Sequence, residues 1–377
     1  MTAAPPVGIP PVGGARRILV VKLDAAGDFL LSTPFLRGLR AAAPAARIVL
    51  AVRDAVADLA APCPHVDGVV VPSLIDGPGR ARLDVRGVTP NGRALFAEGF
   101  RGGFDRVIVA RYDCDTHGAA TLASQVPARV RVGFGEAVTP WKADMNAGFD
   151  RALTHVLGPL PGLHEVERLL SLLHAVGGAA DGTHTELYLT QGDVDAAAAL
   201  MAPLGDGPVL AVAPGAASAR RVYPAPSLAA VAAALSRRMG AGIAVIGGPE
   251  DGEAARVLVH AVPGPVVDLT GRTAVRTAAA VIARAEALLA MDSAPAHMAA
   301  ACGTPVAVFS CHPDGGDPEH FHAPERFRPW TPRALVLRPP RGRDGCSASC
   351  TAADAHCIAT IHAADAYDRI AGFLGLG

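Results

Sequence analysis

Short runs of β-branched and aliphatic residues alternate along this chain with longer segments rich in alanine and leucine. Brief apolar runs bounded by turn formers fit strands buried on both faces. The longer segments between them fit the helices of βα units on a parallel sheet. A first series reads as strands at 18–23, 47–52, 66–71, 105–110 and 129–132, with a helix at about 32–42. Val166, Leu169, Leu170, Leu173 and Val176 recur at helical spacing, so 164–176 is expected as an amphipathic helix closing the first half. A second series then starts afresh at 209–213, 243–247, 266–269, 287–291 and 305–309. A long irregular stretch rich in Pro, Gly, His and Arg follows, then a last helix at about 363–374.

The segment 177–183, Gly-Gly-Ala-Ala-Asp-Gly-Thr, is the best linker between the two series. The expected organisation is a flexible leader at 1–14, a Rossmann-like domain at 15–178 and a second at 184–361. A closing helix at 362–377 is expected to pack back on the first domain. The fold class is α/β, with two parallel sheets facing an interdomain cleft and ligands held beyond the carboxyl ends of the strands. The leader lacks a charged start followed by an apolar run, so it is not read as a signal peptide. The apolar run at 278–291 is interrupted by Arg284 and Glu286, which argues against a membrane span. A cytoplasmic protein is expected, with at most peripheral contact at the inner face of a membrane.

Composition narrows the function. A length of 377 residues, half of them apolar, allows a core in each of two domains. Lys and Arg number 34 against 35 Asp and Glu, so no basic excess exists to neutralise a nucleic-acid backbone. A local basic cluster can still hold a diphosphate. Of seven cysteines, Cys63, Cys114, Cys302 and Cys311 are scattered, while Cys346, Cys350 and Cys357 cluster near His356. The three could bind a metal with His356 as a fourth ligand, but their spacing matches no familiar zinc pattern, so buried or loop thiols are the preferred reading and no metal is expected.

Chemistry is sought in the turns that end strands. In Leu23-Asp24-Ala25-Ala26-Gly27-Asp28, Asp28 falls where a helix begins. It reads either as an N-cap or as an ionised carboxylate able to deprotonate a hydroxyl, and spacing alone does not separate the two. Arg111, Asp113, Asp115 and His117 form a polar turn suited to gripping an acceptor; a solvated loop is the competing reading. In the second half, Gly215, Ser218, Arg220 and Arg221 combine small residues, a hydroxyl and two guanidinium forks, a set that suits a diphosphate or a plain basic loop. Glu250 follows Gly247-Gly248-Pro249 and either accepts hydrogen bonds from ribose hydroxyls or caps a helix. Asp292, Ser293, Ala294 and His297 open a helix whose small residues leave its first amides approachable by phosphate. No glycine fingerprint for dinucleotides stands after the first strand.

Together these pieces resemble glycosyltransferase family 9, the heptosyltransferase-like enzymes of the GT-B fold. The resemblance runs from residue 16 through 17–28, Ser-Thr-Pro at 32–34, Pro-Gly at 214–215 and 221–224. It continues in Gly-Gly-Pro-Glu at 247–250, Asp-Leu-Thr-Gly at 268–271 and Asp-Ser-Ala-Pro-Ala-His at 292–297. It implies an inverting transfer with Asp28 as general base and no metal or other cofactor. Arg221 would bind the donor diphosphate where the family usually has lysine, Tyr223 stands where it usually has Trp, and Glu250 would hold the ribose. The 292–297 turn would receive the diphosphate and the sugar. The implied donor is a nucleotide sugar, ADP-heptose first, and the implied acceptor is lipopolysaccharide core, another glycan or a small molecule. A nucleotide-sugar epimerase of the same fold and a non-catalytic nucleotide-binding protein are the rival expectations.

Overall fold

The computed structural model of the protein describes residues 8–75, 82–344, 346 and 352–377. The chain divides into two compact units, Met1–Tyr188 and Leu189–Gly377. The first unit carries a sheet of seven strands: β1 (Arg17–Lys22), β2 (Arg47–Val52), β3 (Gly68–Ile75), β4 (Arg82–Gly87), β5 (Phe104–Val109), β6 (Ala128–Phe134) and β7 (His155–Leu157). Their order is β4-β3-β2-β1-β5-β6-β7. Every neighbouring pair is parallel except β3 and β4. The unbroken apolar runs within β1 (18–21) and β2 (48–52) suit central strands buried on both faces. Two strands of this sheet escape the sequence pattern: β4 alternates charged and apolar residues as an edge strand does, and β7 has only three residues.

The second sheet has six strands, all parallel: β8 (Val209–Ala213), β9 (Gly242–Val245), β10 (Val266–Asp268), β11 (Ala287–Met291), β12 (Val306–Phe309) and β13 (Ala334–Leu337). The order is β10-β9-β8-β11-β12-β13. In each sheet the first strand of the series is central and the direction of winding reverses beside it, between β1 and β5 and between β8 and β11. Loops leaving the carboxyl ends of such a pair run to opposite faces and open a crevice, which is where ligands of doubly wound sheets bind.

Several expectations need correction. The helix expected at about 32–42 is present as Thr33–Ala42, but a separate short helix that the sequence did not mark, Ala26–Leu31, precedes it. Pro34 lacks an amide hydrogen and its ring blocks a continuous helix. The Ser32 and Thr33 hydroxyls take up the freed carbonyls of Phe29 and Leu30, at 2.6 and 2.8 Å. The leader is not loose throughout: Val12 is buried in a 3-10 turn, Val12–Gly14, and its N–H donates to the Val176 carbonyl at 2.9 Å. The remainder of that leader, 1–7, lies outside the described residues.

The linker at 177–183 stays with the first unit, because Arg37 donates to the carbonyls of Asp181, Gly182 and His184 and pairs with Glu186 at 2.9 Å. The closing helix, Ala363–Phe373, was expected on the first domain but belongs to the second unit. Its Ala366, Ile370 and Ala371 join the core formed by Leu228, Val231 and Leu235 of helix Ala225–Met239. No helix among the described residues is long and apolar enough to cross a membrane.

Candidate active site

In the first unit the pairing of β1 with β5 brings the turn after Lys22 beside the turn after Val109. Asp24 is 1% exposed and lies between two cations, with Lys22 Nζ at 2.5 Å and the Arg111 guanidinium donating to its other oxygen. Burial alone would raise the Asp24 pKa, but Arg111 and Lys22 outweigh it and hold the carboxyl below the ordinary range. Arg111 is pushed in the opposite sense. Its burial disfavours the charge, yet Asp24, Asp28, Asp113 and Glu165 together raise its pKa. Arg111 Nε also donates to the Cys114 carbonyl at 2.9 Å, so this arginine is a fixed cation at the sheet's reversal point.

Asp28 is the third residue of helix Ala26–Leu31 and half-buried, with no side-chain cap bond made by the preceding residue. Among the described residues its carboxylate takes part in no hydrogen bond, and Arg111 acts on it through space. The N-cap reading is therefore set aside: the capping position belongs to Ala25. The other expected acceptor residues separate. Asp113 is buried and acts on Arg111. Asp115 accepts from the backbone N–H groups of His117, Ala119 and Ala120, so it fixes the start of helix Ala119–Gln125. His117 is exposed, and burial and then Arg53 and Arg111 lower its pKa.

A residue the sequence did not single out holds this turn in place. Lys142 is fully buried, and its ammonium donates to the carbonyls of Phe134 at 2.9 Å and Tyr112 at 3.1 Å, over the Phe149 ring. Burial and then Arg111 depress its pKa to about 8. Nothing in the short helix Pro140–Met145 distinguishes this lysine from a solvated one until the strands are paired.

In the second unit the turns after β8 and β11 meet in the same way. The Arg221 guanidinium donates to the backbone carbonyl of Asp292 and pairs with its carboxylate at 3.2 Å. Arg221 Nε is buried and has no hydrogen-bond partner among the described residues. Ser218 heads the 3-10 turn Ala219–Arg221. Ser293 stands at the N-cap of helix Ala294–Cys302 without capping it. Its hydroxyl reaches back to the carbonyls of Gly215 and Met291, both at 3.3 Å, and Ala294 is half-buried behind it. His297 is buried one turn further in. Tyr223 packs its ring on Phe309 with centroids 4.4 Å apart, and its hydroxyl donates to the Ile361 carbonyl at 2.7 Å.

Glycines set how closely these turns pack. A Cβ on Gly215 would lie 2.1 Å from Asp251 Oδ1, and one on Gly247 would lie 2.3 Å from Oδ2. Asp251 thus fills the space between two strand ends, and it accepts from the Gly248 N–H at 2.9 Å. Burial raises its pKa, and neighbouring Glu250 adds to the shift. Glu250 itself is exposed.

The irregular stretch 310–322 supplies residues that the sequence did not resolve into a site. His312 stacks on His320 at 5.3 Å, and His320 Nε2 is buried with no partner among the described residues. Arg220 and Arg221 act on this group. Burial, then Arg221, His320, Arg220 and His312, hold the His322 imidazole neutral down to about 2. Positive charge here therefore comes from the arginines. Of the clustered cysteines, Cys346 and Cys357 converge on His356, whereas Cys350 lies outside the described residues.

The family model described as glycosyltransferase family 9 (heptosyltransferase) matches residues 93–352. Among solved structures, the chain is similar to a glycosyl transferase family 9 protein from Veillonella parvula DSM 2008. That match has 20% identity and a TM-score of 0.72, and covers 96% of this chain and 98% of that one. It is also similar to the E. coli ADP-heptose lps heptosyltransferase II, at 19% identity, TM-score 0.69 and coverage of 95% and 98%. E. coli heptosyltransferase WaaC with ADP matches at 17% identity and TM-score 0.66, covering 95% and 99%. None of the curated proteins matches the chain. The shared architecture is the GT-B fold.

Proposed function

The chain belongs to glycosyltransferase family 9, and we propose that it transfers a sugar, a heptose from ADP-heptose in first place, to an acceptor hydroxyl with inversion. The acceptor is a glycan such as lipopolysaccharide core. Asp28 takes the proton as the hydroxyl attacks the anomeric carbon. The bond to the nucleoside diphosphate breaks in the same step, and Arg221 with the amides that open helix Ala294–Cys302 neutralises the departing charge. The ADP-bound and ADP-heptose-named relatives favour this donor.

One observation carries the reading: the buried Arg221 Nε–H faces no acceptor among the described residues, beside a turn of small side chains and a bare helix start. Buried polar groups left unsatisfied are uncommon and point to a missing partner, here a phosphate oxygen. Among the described residues of the first unit, Asp28 is the half-buried carboxylate outside any hydrogen bond, whereas Asp24 and Asp115 are committed to ion pairs and capping.

Two variants test the assignment. Asp28→Ala should lower kcat by roughly 10²–10⁴-fold while leaving ADP affinity near its original value. Arg221→Ala should weaken ADP binding by about 1.5–3 kcal/mol in calorimetric titration, the range for hydrogen bonds to charged groups. Near-normal turnover in the first variant removes Asp28 as base; unchanged ADP affinity in the second removes Arg221 from the donor site.

A further inference from the structure

Cys346, His356 and Cys357 lie in the irregular segment that precedes the closing helix, and none of them takes part in the transfer chemistry described above. Their ligand atoms fall within 4.8 Å of one another. Cys346 Sγ is 3.3 Å and Cys357 Sγ 3.4 Å from the same ring nitrogen, His356 Nδ1. Neither thiol is in a disulfide.

Hydrogen bonding does not account for that arrangement. A ring nitrogen carries either one N–H or one lone pair, directed along a single line in the ring plane, so it serves one sulfur well and not two. A metal ion does account for it. Zn–S bonds of about 2.3 Å and a Zn–N bond of about 2.0–2.1 Å, at a tetrahedral angle, leave sulfur and nitrogen about 3.6 Å apart. The two observed separations are close to that edge length.

The surroundings suit a thiolate. The Arg343 backbone N–H donates to Cys357 Sγ at 3.4 Å, the kind of contact that orients and steadies a metal-bound sulfur. Cys357 is 4% exposed and Cys346 and His356 are half-buried, so an ion can enter from the solvent side. On binding, each thiol releases its proton to solvent. Two thiolates and one divalent cation sum to zero charge, which lessens the cost of burying the group.

We propose that Cys346, His356 and Cys357 bind a thiophilic transition-metal ion, Zn²⁺, as a structural knuckle. Cys350 lies outside the described residues and is no part of the site as drawn. The knuckle bears on the donor turn by a short route. Cys357 heads the 3-10 turn Ile358–Thr360, and Ile358 and Ile361 enter the second core. The Ile361 carbonyl accepts the Tyr223 hydroxyl, two residues beyond Arg221. The ion does no chemistry on the substrate; it fixes the segment against which the diphosphate-binding turn is set.

Elemental analysis of the full-length protein, purified without chelator, should find close to one zinc per chain. Cys346→Ser and Cys357→Ser should each lower that content about tenfold or more, while Cys63→Ser, in the other unit, leaves it unchanged. Cobalt added to metal-free wild-type protein should give thiolate-to-cobalt charge transfer and the intense visible bands of a tetrahedral site, a readout that does not need the serine variants to fold. Added zinc should also raise the melting temperature of the metal-free protein. Absence of stoichiometric metal, a wild-type cobalt spectrum in Cys357→Ser, or a mass two hydrogens light from a Cys346–Cys357 disulfide would each overturn the proposal. Metal content does not depend on how the donor turn is read, so the two ideas can fail separately.

Discussion

Asp24 and Asp28 are four residues apart, and their environments divide the labour between them. Asp24 is enclosed by Lys22 and Arg111 and stays ionised as part of the scaffold; Asp28 makes no hydrogen bond among the described residues. Because the folded-state pKa of Asp24 is depressed, its contribution to stability is complete above the ordinary carboxylate pKa. That contribution fades as pH falls through the depressed value. Asp24→Asn leaves two buried cations facing a neutral amide and should cost about 3–5 kcal/mol at neutral pH. Urea denaturation of both proteins, repeated in acid below the carboxylate range, should show the gap narrowing; a constant gap would mean that charge is not what Asp24 contributes. None of this was legible from the local sequence. Arg111 stands 87 positions from Asp24 and looked like an acceptor grip, and Lys142 was not singled out at all. Only the pairing of β1 with β5 shows what each one faces.

Strands and turns were far more legible than side-chain partners, for a physical reason. A central parallel strand is buried on both faces and writes itself as an unbroken apolar run, as in Val209–Ala213 and Ala287–Met291. Edge strands such as β4 and β13 are half exposed, and β13 is short as well, so their signal drops into that of the surrounding loop. Turn glycines could be recognised, but not what presses on them. Gly215 is held small by the Asp251 carboxylate, a contact between turns that follow two different strands. Gly215→Ala should push that carboxylate off the Gly248 N–H and destabilise by about 1–3 kcal/mol. In an Asp251→Ala background the same change should be nearly neutral, since the atoms it meets are gone. A double-mutant cycle of unfolding free energies decides this, and equal costs in the two backgrounds would refute the clash.

On the proposed assignment, each unit contains the groups for its own part of the chemistry. The second unit, 189–377, has a complete six-stranded parallel sheet, a core running from Leu210 to Ala371, and the closing helix packed on helix Ala225–Met239. The groups assigned to the donor, Arg221, Asp292, Ser293 and the start of helix Ala294–Cys302, all lie within it. A core of this size exceeds what an independent domain requires. The cut before Leu189 also spares the network of Arg37, His65, Glu186 and Tyr188, which ties the preceding segment to the first unit. Expressed alone, 189–377 should therefore unfold cooperatively and bind ADP within a few-fold of the full chain, yet transfer nothing, because Asp28 is absent. With a net charge of −1 over the whole protein, long-range attraction for an anion is weak. The affinity then rests on the fixed guanidinium and amide donors, which the fragment keeps intact. Calorimetric titration of the fragment with ADP, alongside the same fragment carrying Arg221→Ala, measures this directly. A fragment that folds but has lost ADP affinity to the level of its Arg221→Ala variant would show that the donor site draws on more than its own sheet.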